Sequence, residues 1–409
     1  MTISYSGTSE ENKKSSNEKP LTFIDLFAGA GGFAEGFYQE GYKALSHIEF
    51  DKYACDTLRH RMKHYGYDEE DIKHGVLCED ITSKDIIEKM DKSVKGNDVD
   101  IIIGGPPCQS FSSQGKARDP HSMKCDPRNY LYESYLKILN HYRPKFFVFE
   151  NVTGLLSTEI NGKKIIETIM KDMKKNYNIV EEKSEIVLNS SDFGIPQERK
   201  RVIIIGVRKD IDIHPKAIYE DLAEISKNEP KVTVQDALAD LPKLKAGQGE
   251  DCIDFIPEKT NEYLKKIRSE NYEKLHHHVA RTHNDLDKKR YKLMSKNNWT
   301  LGELYDKKPE LKHPKKRLFN NSYVVQRFDM PSKTIIAHLY KDGNQFIHPD
   351  HTQERTFTPR EAARCQSFPD DFVFPCSKTQ QYKQIGNAVP PLLAKTIASV
   401  LKKYLTQLD

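Results

Sequence analysis

Seven short apolar runs in the first half of the chain, separated by polar stretches that mostly carry a helical period, constrain the fold more than any other feature. Leu21 to Phe27 ends at glycines and leads into a helical stretch to about Glu40. Lys43 to Ile48 follows, with a helix from about Lys52 to His64, then a short run from Gly75 to Cys78. Val99 to Ile103 stops at Gly104-Gly105-Pro106-Pro107, and Arg128 to Tyr142 has helical spacing before the run Lys145 to Phe149. Ile179 to Leu188 and Arg201 to Val207 complete the set. Strands alternating with helices predict an α/β fold with a mostly parallel, doubly wound, seven-stranded sheet. The last two runs have no room between them for a crossover helix, so an antiparallel pair at one sheet edge is expected.

Beyond about Glu229 that rhythm is lost. Residues 1–20 read as a solvated tail, 21–230 as the sheet domain, and 231–374 as a smaller, loop-rich second domain. Residues 375–409 return to the first domain through the helix Leu392 to Leu405, opened by Pro390-Pro391. No apolar run approaches the ~20 residues of a membrane-spanning helix, so no membrane partner is expected. The seven cysteines form no CxxC pair, which argues against a disulfide framework and for a reducing, cytoplasmic setting. Net charge is 64 − 60 = +4, but residues 261–320 hold 16 basic and 8 acidic side chains, a local +8 that leaves −4 elsewhere. Tyr272, Tyr291, Trp299, Tyr305 and Phe319 punctuate this basic stretch. Such a run is usually a solvated face, and a polyanion-binding surface is the alternative.

Five strand ends carry chemistry. Phe27-Ala-Gly29-Ala-Gly31-Gly32-Phe-Ala34 fits a G-x-G-x-x-G/A turn, and Glu49 follows 20 residues after Gly29. Glycines admit backbone amides close to a ligand, and a carboxylate so placed accepts from ribose hydroxyls. Asp80 ends the third strand at the same edge. The turn alone does not choose between NAD, FAD and S-adenosylmethionine. Pro106-Pro107 then deliver Cys108 to the carboxyl end of the sheet on a stiff approach, before a polar loop from Gln109 to Lys116 expected to be mobile. That setting favours a usable sulfur over a buried one. Glu150 ends the next strand behind Phe149, a partly desolvated carboxylate suited to sharing a proton. Gln197, Arg199 and Arg201 alternate onto one face, as donors for a phosphate or base.

Taken together these motifs closely resemble the cytosine carbon-5 DNA methyltransferases of the bacterial restriction-modification type. The resemblance rests on Asp25-Leu-Phe-Ala-Gly-Ala-Gly-Gly, Pro107-Cys108-Gln, Glu150-Asn-Val, Gln197-x-Arg-x-Arg201, Arg355-x-Phe-Thr-Pro-Arg360-Glu-Ala-Ala-Arg364 and Gln384-Ile-Gly-Asn387-Ala-Val-Pro, in family order. It covers residues 21–208 and 353–400. The resemblance implies a Rossmann-like class I methyltransferase domain with S-adenosylmethionine held by Phe27, Gly29, Gly31, Glu49, Asp80 and Asn387. It implies Cys108 as nucleophile toward a flipped-out cytosine, Glu150 at the ring nitrogen and amine, Arg201 at the base carbonyl, and Arg199 at the base or a nearby phosphate. The middle segment becomes a target-recognition domain for double-stranded DNA, with a companion restriction endonuclease as a functional partner. The enzyme would act as a monomer, at the nucleoid if bacterial. A transfer-RNA cytosine methyltransferase on the same scaffold and a Rossmann oxidoreductase are the alternatives. His276-His277-His278 has no ligand frame for a metal and is read as part of the basic surface.

Overall fold

The computed structural model describes residues 19–107, 131–160, 162–269, 273–313 and 322–408. Its main sheet is built from β1 (Thr22–Leu26), β2 (Lys43–Glu49), β3 (Val76–Cys78), β4 (Ile101–Gly104) and β5 (Phe146–Val152). A two-residue hairpin, β6 (Glu159–Ile160) and β7 (Lys163–Lys164), precedes β8 (Tyr177–Ile179), β9 (Val187–Asn189) and β10 (Lys200–Arg208). The sheet order is β3-β2-β1-β4-β5-β10-β8, with β9 also pairing β10. The first five strands are parallel to their neighbours, and β10 is antiparallel to β5, β8 and β9.

Ile101 to Ile103, Phe146 to Phe149 and Val202 to Ile205 are fully buried. Strands covered on both faces read as continuous apolar runs, which is why they stand out in the sequence. One expectation is corrected. Ile179 to Leu188 is not one strand, because Glu182 turns the chain back, its carbonyl accepting from the amides of Glu185 at 3.0 Å and Ile186 at 3.3 Å. Two short strands result, and the sheet has eight strands where seven were expected.

α1 (Gly32–Gln39) follows β1, and α2 (Lys52–His64), capped by Asp51 accepting from the Tyr53 amide, follows β2. The helix Pro391–Leu405 lies against α1, where Tyr42 donates to the Ala398 carbonyl at 3.0 Å and Lys402 donates to that of Glu40 at 2.7 Å. The stretch 231–374 contributes to three apolar clusters. Tyr263, Leu264, Ile267 and the residues from Phe357 to Phe374 enter the large core. Tyr291, Met294, Leu301, Leu304, Leu311, Tyr323 and Ile347 form a second cluster. Phe255 and Leu275 form a third, at the small sheet of β11 (Cys252–Asp254) and β12 (Lys274–His276).

Buried arginines bind these parts together. Arg364 contacts both Asp370 oxygens at 2.8 and 2.9 Å and Asp240 at 2.5 Å, linking the helix Pro359–Cys365 to the turn after Val234–Leu238. Arg355 makes two 2.7 Å bonds to Glu361. His277 and His278 belong to this packing and not to a basic surface. Each is 2% exposed, and burial lowers the pKa of both. His277 meets Asp251 and the Phe374 amide, and His278 meets Thr358 and the Pro242 carbonyl. Among the described residues no helix is long and apolar enough to cross a membrane.

Arg355 holds the Glu361 carboxyl far below the usual carboxylate range. A depressed folded-state pKa stabilises fully above the unfolded value of about 4.3, and that contribution is lost as pH falls through the folded value. Glu361→Gln leaves Arg355 buried without its counter-charge and is expected to cost about 3–5 kcal/mol at neutral pH in urea unfolding, with a smaller difference in acid. A loss below about 1 kcal/mol would show that the pair is not a structural clamp.

Candidate active site

The strand order reverses between β1 and β4, and the predicted site residues gather at the carboxyl ends of the strands around that point. On the β1 side, Phe27, Gly29 and Gly31 all have positive φ (58°, 57° and 86°), so the chain leaves β1 in a tight left-handed turn. Glu49 closes this turn. Its Oε2 accepts from the Gly29 amide at 2.8 Å, and its Oε1 accepts from the amides of Phe50 at 2.9 Å and Asp51 at 2.7 Å. Burial raises the Glu49 pKa against the pull of those three amides. Asp80 sits one residue beyond Glu79, whose amide donates to the Glu49 carbonyl at 3.0 Å. It is exposed and accepts from the amide and hydroxyl of Thr82. Asn387 reaches the same place from the far end of the chain. It is exposed at the end of the helix Lys378–Asn387, and a Cβ at Gly32 would lie 2.6 Å from the Val389 carbonyl and 2.9 Å from the Ala388 side chain.

On the β4 side, Gly104 pairs with Phe149, which puts Gly105 beside Glu150. A Cβ on Gly105 would lie 2.6 Å from Glu150 Oε2, so a side chain there would displace the carboxylate. Arg201, two positions along β10 from the register partner of Glu150, donates from Nε to Glu150 Oε1 at 2.9 Å. Each side chain of the pair is 13% exposed. Burial pulls the guanidinium below its ordinary value, and Glu150 partly offsets this. A carboxylate so held keeps one oxygen toward Gly105 and cannot swing away. The chain is buried at Pro106 and surfaces at Pro107. Cys108 and the loop from Gln109 to Lys116 lie outside the described residues.

Arg199 does not join this pair as a base-facing donor. It is 2% exposed and donates to the carbonyls of Ile335 at 2.7 Å, Ala388 at 2.9 Å and Gly386 at 3.4 Å. Burial, with Arg201 nearby, lowers its pKa well below the ordinary value. Gln197, fully buried, is likewise engaged, donating to the Cys365 carbonyl and accepting from the Ile335 amide. The alternation predicted from the sequence is real, but only Arg201 reaches the pair. Arg199 instead grips the carbonyls on both sides of Asn387, tying the two halves of the site together.

Two further residues escaped the sequence reading. Asn151 is 3% exposed and donates to the Pro106 carbonyl at 3.1 Å, fixing the segment two residues before the cysteine. Its place directly after a strand-end glutamate was the available signal. Phe50, directly after Glu49, is 75% exposed, an unusual cost for a large aromatic and a ready stacking face.

A family model for C-5 cytosine-specific DNA methylase matches residues 21–403. The chain belongs to this family. It is thus a DNA methyltransferase acting at carbon 5 of cytosine, and the oxidoreductase alternative falls. The methylase is 32% identical to the type II methyltransferase M.Bpa9945I of Bacillus paralicheniformis, over 93% of this chain and 98% of that protein. It is 33% identical to M.DdeI of Desulfomicrobium norvegicum, over 95% and 90%. Among solved structures it resembles a putative DNA modification methyltransferase encoded within an E. coli prophage, with TM-score 0.68, 25% identity and coverage of 94% and 99%. Its fold is also that of the S. pombe Dnmt2 methyltransferase, with TM-score 0.54, 15% identity and coverage of 95% and 99%.

Removing the Asn151 amide frees the Pro106 carbonyl and loosens the approach to position 108. Asn151→Ala is expected to slow methyl transfer to DNA about 10-fold or more, as loss of a buried hydrogen bond worth about 1–3 kcal/mol allows. Single-turnover rates with labelled methyl donor test this, and an unchanged rate would remove Asn151 from the positioning machinery.

Proposed function

We propose that the methylase transfers a methyl group from S-adenosylmethionine to a cytosine swung out of a specific duplex sequence, through a transient bond between Cys108 and carbon 6. The Glu150–Arg201 ion pair beside Gly105 is the observation that carries this reading. It sets a carboxylate and a guanidinium together at the strand ends, next to the point where the chain surfaces before the cysteine.

Carbon 5 of cytosine is a poor nucleophile until aromaticity is broken. The Cys108 thiolate adds to carbon 6, and the electron pair of the 5,6 double bond moves onto the ring toward N3. Glu150 shares a proton at N3 and accepts from the exocyclic amine, stabilising that charge. Arg201 holds Glu150 in place and donates toward the base carbonyl. Carbon 5 then takes the methyl group, its proton leaves to a base, and expulsion of the thiolate restores the ring. Taking the base out of the stack costs a few kcal/mol, met by contacts elsewhere on the DNA.

The turn at Phe27, Gly29 and Gly31 fits the cofactor. It exposes backbone close to an anchored carboxylate, and Glu49 Oε2, accepting one hydrogen bond from Gly29, retains a lone pair for a ribose hydroxyl. Phe27 would stack on the adenine, Asp80 would accept from its amine, and Asn387 would close the far side. Bound there, S-adenosylmethionine supplies the methyl group. Arg199 acts through the loop it fixes rather than on the base.

Residues 231–374, including the basic stretch, serve as the target-recognition domain, with lysines and arginines positioning phosphates and a few side chains reading base edges. The type II names of the curated relatives support a role in restriction-modification, with a companion nuclease as functional partner.

Bisulfite sequencing of a plasmid propagated with the gene is expected to show 5-methylcytosine in one fixed context, and Cys108→Ser to abolish it. Methylation without a fixed context would remove the recognition assignment. Full methylation by Cys108→Ser would remove the covalent route.

A further inference from the structure

A cavity of about 410 Å³ opens where the second apolar cluster meets the helix Lys378–Asn387. Arg281, Lys341 and Lys378 line it. No carboxylate among the described residues lies within salt-bridge distance of any of the three. The acids in the cavity wall are otherwise engaged. Asp287 meets Arg290 at 2.7 Å, Tyr323 at 2.9 Å and the Asn284 amide at 2.8 Å, and Asp342 accepts from the Asn344 backbone at 3.0 Å. His283, also in the wall, is pushed down to about 4 by burial and by Arg281, so it carries no charge at neutral pH.

Arg281 is fixed before any ligand arrives. It donates to the carbonyls of Leu339 at 2.8 Å and Lys341 at 3.2 Å, and its guanidinium lies 4.2 Å from the Tyr382 ring centroid. Its Nε is buried without a hydrogen-bond partner. Burial and the neighbouring Arg281 also pull the Lys378 ammonium below its ordinary value. Three cations line the cavity beside two carboxylates that other groups already engage, and Lys378 also donates to the Ala280 carbonyl at 3.4 Å, so an anion entering the cavity meets a net positive wall.

We infer that this cavity receives a phosphate of the DNA backbone, held by Lys341 and Lys378 against the rigid Arg281. The inference rests on the DNA-methyltransferase reading and adds a specific contact to it. Continuity with the catalytic edge selects DNA over a free anion. Ile335, whose carbonyl is gripped by Arg199, begins the short segment that leads to Lys341. Six residues span at most about 20 Å, and a duplex carries one charge per about 1.7 Å of axis. A duplex presenting a base to Glu150 and Arg201 carries phosphates over a length of that order.

The salt dependence of binding to a short labelled duplex carrying the methylated context tests this with the full-length protein. Lys341→Gln and Lys378→Gln are each expected to weaken binding about 3–10-fold and to flatten the slope of log affinity against log salt by about 1. The double variant should flatten it little further, because both lysines hold one phosphate. Lys171→Gln, the same charge change on the helix Ile165–Met173, should leave the slope unaltered. Unchanged slopes in both cavity variants, or an equal effect of Lys171→Gln, would overturn the cavity assignment while wild-type methylation stands. Absence of salt-dependent duplex binding by the wild type would overturn the functional reading itself.

Discussion

The ion pair between Glu150 and Arg201 is the contact on which the site's geometry depends. It exists because β10 runs antiparallel to β5, bringing an arginine from the start of one strand over a glutamate near the end of the other. A parallel β10 would put Arg201 at the far edge of the sheet. Gly105 completes the arrangement by leaving room for the second carboxylate oxygen. In the proposed mechanism a carboxylate fixed in this way needs no reorganisation as charge develops on the ring, the preorganisation by which an enclosed site lowers a barrier.

Around that pair the fold is held by arginines that never face solvent. Arg199 joins the start of β10 to the segment carrying Asn387, and Arg355, Arg360 and Arg364 tie together segments of residues 231–374, part of which enters the large core. A planar guanidinium with five donors can satisfy several main-chain carbonyls at once, where a lysine would satisfy fewer and lose its preferred hydration. Residues 231–374 therefore reach the start of β10 through a polar clamp, Arg199 to the Ile335 carbonyl, as well as apolar contact. The seam between the second apolar cluster and the helix before Asn387 is correspondingly polar, and there, among the described residues, three cations line a cavity without an ion pair.

Much of this was legible in the sequence, for a physical reason. Strands buried on both faces announce themselves as apolar runs, and residues at their ends fall at one edge whatever the details of packing. Phe27, Gly29, Gly31, Glu49 and Glu150 all belong to that class. What was not legible depends on partners far along the chain. Alternation put Gln197, Arg199 and Arg201 on one face, but it could not show that segments around Ile335 and Ala388 cover two of them. His277 and His278 look like surface basics until Asp251, Thr358 and Phe374 close over them. The break between β8 and β9 was signalled locally, by the polar run Glu181-Glu182-Lys183-Ser184-Glu185 inside an otherwise apolar stretch.

The proposed mechanism requires a transient sulfur–carbon bond between Cys108 and the target base. A duplex with 5-fluorocytosine at the methylated position allows the bond to form but gives no proton to lose at carbon 5. Incubated with the enzyme and methyl donor, it should yield a stable protein–DNA adduct, with peptide mass spectrometry placing the methylated base on Cys108. Turnover of ordinary DNA with no adduct on the fluorinated duplex, or an adduct at another residue, would contradict it.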